Sequence, residues 1–298
     1  MWPIYVAAWS GTLGAPTVTA MSSPLLPPAP PPGWYPADEQ GDTLRWWDGA
    51  GWTGHTAGRP PPPEPFPTLP WQVAAGAVVA LAAPLVASKW ILRSTLSWRL
   101  PIAAYIVLLA VVAYGPSLAW WRAASRRYGS GNARADVGFT FVKADLGWGP
   151  LTWLACFGAQ IVVAVIVVAL HLPTTGNTES IRENRTLAAF VVPMVVLTVV
   201  VAPLVEEIVF RGLILRGLAS RLGTAATIIG QAVLFGAAHF DPERGAGNIG
   251  LVLMLSAVGG MLGGAAVLKR RLGPGIIAHA IINSIAMAVA LSGWNPSQ

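Results

Sequence analysis

From Trp71 onward the chain is a succession of apolar segments, near residues 71–88, 100–121, 149–170, 188–210, 223–240, 249–268 and 274–292. Each is close to the ~20 residues that carry a helix across a bilayer. In hydrocarbon only helices and closed barrels satisfy their own backbone, so the pattern predicts an all-α polytopic bundle of about seven transmembrane helices. Composition agrees: 54% of the residues are hydrophobic and only 11% charged, against roughly 25% charged in a soluble protein. A soluble globule is not expected.

The formal charge of +6 is not massed on one segment, so a nucleic-acid partner is not expected and the lipid bilayer is. Lys and Arg in alternate loops divide unequally. Arg122, Arg126, Arg127, Arg134, Lys143, Arg211, Arg216, Arg221, Lys269, Arg270 and Arg271 fall on one side. Lys89, Arg93, Arg99, Arg182, Arg185 and Arg244 fall on the other. The positive-inside rule places the larger group in the cytoplasm, with the N-terminus inside a bacterial plasma membrane and the C-terminus outside. Arg216 and Arg221 read as cytoplasmic anchors. Trp71, Trp90, Trp98, Trp120, Trp121, Trp148 and Trp294 sit at or beyond segment ends, where indole favours the lipid–water boundary. The single Cys156 rules out an intrachain disulfide.

The first seventy residues differ in kind. Residues 1–31 read as a disordered proline-rich start and 59–70 as a proline-rich linker. Met21 would serve equally well as a start, which makes residues 1–20 a candidate gene-boundary artefact. Between the proline runs, residues 32–58 hold Pro32-Gly33-Trp34-Tyr35-Pro36, Arg45-Trp46-Trp47-Asp48-Gly49 and Trp52-Thr53. Tryptophans around an Asp-Gly turn suit a small β-hairpin module. The block resembles a short bacterial domain of unknown function with a Gly-Trp-Tyr-Pro opening and a Trp-Asp-Gly-x-x-Trp-Thr close. It reads as a structural or interaction module whose partner is unknown.

Glu206 and Glu207 are the acidic residues inside a predicted span. A carboxylate at that depth costs ~3 kcal/mol or more and normally faces a cavity where it has a function. At ~100° per residue, Glu207 and Arg211 share a helix face and Glu206 points elsewhere. Glu207 is then expected to partner Arg211, leaving Glu206 for a water-filled cavity as a general base. His239 shares a face with Phe235, and His279 shares one with Asn283, so the last two can aim donors at one point, as a developing oxyanion requires. Gly259, Gly260, Gly263 and Gly264 form overlapping Gly-x-x-x-Gly pairs for close helix packing. Pro193 and Pro203 are expected to kink the fourth span near Glu206.

Glu206-Glu207-Ile208-Val209-Phe210-Arg211, Phe235-Gly236-Ala237-Ala238-His239 and His279-Ala280-Ile281-Ile282-Asn283, in that order, resemble the motifs of the CPBP intramembrane glutamic endopeptidases. That family includes the enzymes that trim prenylated CaaX proteins and bacterial relatives linked to bacteriocin handling and self-immunity. The resemblance covers roughly residues 187–292, and 71–298 is assigned as a protease domain on its strength. It implies hydrolysis of a peptide bond in a membrane-associated substrate by water that Glu206 and His239 activate, without an acyl-enzyme. His279 and Asn283 would stabilise the oxyanion, and Glu207 and Arg211 would position the base and the cavity.

Three rival readings stand beside it. A zinc hydrolase is the nearest, because two Glu and two His can furnish ligands. No His-Glu-x-x-His helix is present and Asn is a poor zinc ligand, so zinc is disfavoured and no cofactor is expected. A non-catalytic immunity or scaffold protein would keep the fold without turnover, and a proton-coupled transporter would use Glu206 and His239 as a relay.

Overall fold

The structure, a computed structural model, describes residues 30–38, 42–59 and 66–293, without the side chains of 85–93 and 96. The expectations for residues 1–29, for the prolines at 60–63, for Trp294 and for the side chains of Lys89, Trp90 and Arg93 lie outside the described residues. Two compact units divide the chain, Met1–Glu64 and Pro65–Gln298.

In the first unit, β1 (Gly33–Pro36), β2 (Thr43–Trp47) and β3 (Trp52–Gly58) pair antiparallel in the order β1-β2-β3. The expected hairpin is β2–β3, and β1 adds a third strand to it. So small a sheet has little interior, and cross-strand aromatic pairs take its place. Trp34 lies opposite Trp46 with ring centroids 5.4 Å apart, and Trp47 opposite Trp52 at 5.2 Å. Trp47 Nε1 donates to the Pro30 carbonyl at 2.9 Å and the Tyr35 hydroxyl to that of Pro31 at 2.8 Å. At the β2–β3 turn, Gly49 takes φ +99° and Asp48 Oδ1 accepts from the N–H groups of Ala50 and Gly51 at 2.7 and 2.6 Å. Those two backbone donors hold the Asp48 carboxyl below the usual carboxylate range.

The second unit is helical. Its elements are α1 (Trp71–Thr95), α2 (Ile102–Tyr128), α3 (Ala133–Val137), α4 (Asp145–Ala169), α5 (Glu179–Glu183), α6 (Ala188–Leu218), α7 (Thr224–Ala237), α8 (Asn248–Lys269) and α9 (Gly273–Ser292). The helices α2, α4, α6 and α9, with α8 extended back to Pro242, are long and apolar enough to cross a membrane. The apolar helix Thr224–Ala237 is shorter, and α1, 25 residues long, is described with its side chains only over Trp71–Pro84 of its apolar stretch. Of the seven predicted spans, five are long and apolar enough among the described residues, and the first, α1, has the length without its later side chains being described. Helix α7, with 14 residues, rises only ~21 Å against a hydrocarbon thickness of ~30 Å.

Burial is inverted relative to a soluble protein. Val165 on α4 is 62% exposed and Ile229 on α7 is 63% exposed, while Glu207, Arg211 and Gln231 are fully buried. Apolar side chains outside and charge inside is the arrangement a bilayer selects. The chain is a multi-pass membrane protein with a small β module.

Helix α8 packs closely on α7 and α4, and α9 on α4. A Cβ added at Gly259 would lie 3.0 Å from the Ala232 Cα and 3.2 Å from the Phe235 Cβ of α7. Gly263 faces Gln231 of α7 in the same way, whereas Gly264 has open space. One of the two Gly-x-x-x-Gly pairs thus forms the seam.

Two expectations about residue placement change. Trp120 and Trp121 are not boundary anchors, because α2 continues to Tyr128. Their indoles turn inward, Trp120 Nε1 donating to the Val73 carbonyl at 2.9 Å and Trp121 Nε1 to that of Ala133 at 2.8 Å. Residues 66–70, read from composition as linker, join the helical unit. Leu69 is buried and its N–H donates to the Arg216 carbonyl at 3.0 Å.

Candidate active site

Helix α6 carries the two glutamates and is not a regular α-helix. It turns π-helical over Leu197–Val201, α-helical over Ala202–Glu207 and π-helical again over Ile208–Ile214. Such widened turns are frequent at functional sites. Pro203 sits at the junction: it lacks an N–H, so it cannot continue the ladder of the first π stretch. The preceding amide, Ala202, donates to the Leu197 carbonyl. The next bond in that register would run from residue 203 to Thr198. Proline cannot make it, and Asn283 of α9 does so instead, its Nδ2 donating to the Thr198 carbonyl at 2.8 Å.

The glutamates diverge from there. Glu207 points into the protein, fully buried, with its Oε1 2.8 Å from Arg211 Nη1. Arg211 is held further by the Gly259 carbonyl, 3.2 Å from Nη2, and by the Phe235 ring, whose centroid is 4.5 Å from Cζ. Gln231 of α7 donates to the same Gly259 carbonyl at 2.7 Å. Glu206 points the other way. Its Oε1 accepts the Tyr114 hydroxyl of α2 at 3.0 Å, and Oε2 is buried with no hydrogen-bonding partner among the described residues.

His239 lies in the turn that follows α7. Its Nδ1 is 2.9 Å from the Phe235 carbonyl, which can only accept, so Nδ1 carries the proton and Nε2 is left as an acceptor. The turn is pinned by Asn248, which donates to the carbonyls of Asp241 and Gly245 and accepts from the Asp241 N–H. Glu206, His239 and Tyr114 line one cavity of about 200 Å³ together with Phe210, Leu81 and Pro84.

His279 of α9 stands between the carboxylates, with Nδ1 3.3 Å from Glu207 Oε1 and Nε2 3.8 Å from Glu206 Oε2. It also packs edge-on to Phe235 with centroids 5.7 Å apart. The structure therefore gathers Glu206, Glu207, Arg211, His239 and His279 around the Phe235 ring and the cavity beside it. It does not aim His279 and Asn283 at one point: the imidazole is turned to the glutamates and the amide to the backbone of α6. Among the described residues no group of three or more His, Cys, Asp or Glu is placed to hold a metal ion.

Tyr114, Gln231 and Asn248 join the site from positions that none of the three motifs marks. A polar residue on α7 facing a Gly-x-x-x-Gly seam is a signal that would have found Gln231. Tyr114 gives none, since a tyrosine in an apolar run reads as packing.

Residues 186–285, from just before α6 into α9, match the family described as Type II CAAX prenyl endopeptidase Rce1-like. Residues 32–65, including the three-stranded sheet, match a family of unknown function, DUF2510. No curated protein and no solved structure matches the chain. The segment that carries both glutamates, both histidines and Asn283 is thus similar to the CPBP, CAAX protease-like family of membrane proteins.

Proposed function

We propose that the protein is an intramembrane endopeptidase that uses Glu206 as general base on a water molecule, acting on a peptide or protein substrate at the membrane and needing no cofactor. The observation that carries this reading is the shared cavity, with the Glu206 carboxylate on one wall, its Oε2 without a hydrogen-bond donor among the described residues, and an imidazole acceptor on another. Water held between Glu206 and His239 loses a proton to the carboxylate as its oxygen bonds to the scissile carbonyl carbon. The tetrahedral intermediate collapses with cleavage of the C–N bond, and the proton passes from Glu206 to the departing amine. Neither step needs an acyl-enzyme.

The other polar groups support Glu206. Tyr114 orients its carboxylate with the one proton of its hydroxyl. The Glu207–Arg211 pair, linked to His279, fixes the helix face from which Glu206 departs. The positive loops are assigned to the cytoplasm, with the N-terminal module on that side.

The test is a comparison of membrane-protein termini between cells carrying the wild type and cells carrying Glu206→Gln, followed by assay of the affected substrate with His239→Ala. Fragments that disappear in both variants while the proteins remain folded support the protease. A phenotype kept in both variants means a scaffold. Cleavage abolished by a chelator and restored by zinc means a metalloenzyme.

A further inference from the structure

The β module presents two aromatic faces. Side chains alternate across a strand, so the register sets Tyr35, Arg45, Trp47 and Trp52 on one face and Trp34 and Trp46 on the other. On the first face the Trp52 ring meets the Tyr35 ring at 6.0 Å and the Trp47 ring at 5.2 Å, both edge-on. Arg45 extends this ridge, its Nε donating to the Thr53 carbonyl at 2.8 Å and its Cζ lying 6.0 Å from the Trp52 centroid. Trp52 is nonetheless 46% exposed.

A short piece of chain already lies against this face. Pro30 and Pro31, exposed residues just ahead of β1, offer their carbonyls to Trp47 Nε1 at 2.9 Å and to the Tyr35 hydroxyl at 2.8 Å. Pro32 closes on the β2–β3 turn, its Cγ 3.1 Å from where a Cβ on Gly49 would stand.

The chemistry of this contact is selective. Proline has no N–H, so a run of prolines can only accept hydrogen bonds, and its locked φ, with the restriction it places on the residue before it, keeps such a run in polyproline II. Carbonyls in that conformation have no internal partner. An indole and a phenol each carry one donor at the edge of an apolar ring, so the ring covers pyrrolidine carbons while the donor takes a carbonyl. A segment that is extended beforehand loses little entropy on docking to an aromatic groove. Here two donors from adjacent strands meet successive proline carbonyls, and the exposed Trp52 ring stands beside them.

We infer that the Tyr35–Trp47–Trp52 face is a recognition site for a proline-rich segment of a partner polypeptide in the polyproline II conformation, with Pro30 and Pro31 as tethered occupants that show the mode and compete for it. The inference concerns the β module alone and does not depend on the protease reading.

The test uses the full chain in neutral detergent and follows the fluorescence anisotropy of labelled decaproline, with a labelled Gly-Ser peptide of equal length as reference. The wild type is compared with a variant carrying Pro30→Gly and Pro31→Gly, in which the tethered segment loses its fixed φ. Decaproline is expected to bind both proteins and the Gly-Ser peptide neither, with affinity about threefold or more higher in the glycine variant because a tethered competitor is weakened. In that background, where the competitor no longer masks the effect, Tyr35→Phe keeps the ring and removes its donor, and should lower the affinity about fivefold. Trp52→Ala should lower it about tenfold or more. Trp34→Phe, on the opposite face, should bind as the background does. Tyr35→Phe reports even where Trp52→Ala impairs folding, since the ring keeps its packing. Decaproline bound no better than the Gly-Ser peptide by either protein overturns the inference and leaves Pro30 and Pro31 as a brace for the sheet. Affinity unchanged in folded Tyr35→Phe, or lowered equally by Trp34→Phe, overturns it as well.

Discussion

The Arg211 guanidinium lies 2.8 Å from the Glu207 carboxylate, and neither side chain has any exposed surface. Such a pair gives little net stability over an apolar replacement, but removing one member strands a charge, at about 3–5 kcal/mol. Arg211→Met should therefore lower the unfolding midpoint in detergent sharply. The double variant Glu207→Leu with Arg211→Met should recover part of that loss. A double variant no more stable than the single one would mean that the damage comes from the Gly259 and Phe235 contacts of Arg211 rather than from its charge partner.

Tyr114 and Glu206 are 92 positions apart in sequence. Tyr114→Phe keeps the ring and removes the donor. Given the proposed chemistry, the cleavage rate should fall about tenfold or more, the scale of one hydrogen bond to a charged group. Thermal stability should change little, because the ring still fills its place. Initial rates on the substrate found by terminus profiling decide this, and unchanged rates remove Tyr114 from the machinery.

What was legible in the sequence was local or compositional. Glu207 and Arg211 are four apart on one helix, so their facing could be derived before any coordinates, as could the divergence of Glu206. The hydrophobic runs gave the helices because a bilayer leaves the backbone no alternative. Contacts between distant segments left no such trace. Nothing near Tyr114 announces Glu206, and nothing near His279 says that its ring lies between two carboxylates. Asn283 shows the limit of spacing as a guide to contacts. Spacing by four places it beside His279 on α9, but the π-helical turn of α6 presents it with a nearer acceptor.

The Asp136 carboxyl supplies a pH dependence outside the spanning helices. Burial works against its ionised form, but hydrogen bonds from Ser125 and Ser130 and the charge of Arg216 outweigh this and hold it below the usual range. A carboxyl depressed on folding contributes stability above its unfolded value of about 3.9, and that contribution is lost as pH falls through the folded value. The melting temperature of the wild type should thus drop below about pH 4. Asp136→Asn should be less stable near neutrality and flatter across that window. Parallel wild-type and variant curves would show that other carboxylates govern the acid limb.

The seam between α7 and α8 distinguishes Gly259 from Gly264, which belong to different Gly-x-x-x-Gly pairs. Gly259→Ala would press a methyl against the Ala232 backbone and displace the carbonyl that both Arg211 and Gln231 use. Overpacking of this kind costs about 1–3 kcal/mol, and here the proposed activity should fall with it. Gly264→Ala enters open space and should be neutral or slightly stabilising, since alanine favours the helix. The two melting curves compared side by side provide the check.

The bond from Asn283 to the Thr198 carbonyl replaces the one that Pro203 cannot make. Asn283→Ala alone should leave that carbonyl unsatisfied beside the glutamate turn and cost about 1–3 kcal/mol. In a Pro203→Ala background residue 203 regains an amide that can reach Thr198, so the same Asn283→Ala change should cost clearly less. The cycle separates two roles that single substitutions confuse. If Asn283 acts by holding α6, the double variant recovers stability and activity together relative to Asn283→Ala. If it acts instead as an oxyanion donor during turnover, stability recovers and the cleavage rate stays low, because a backbone amide at position 203 supplies nothing to the substrate.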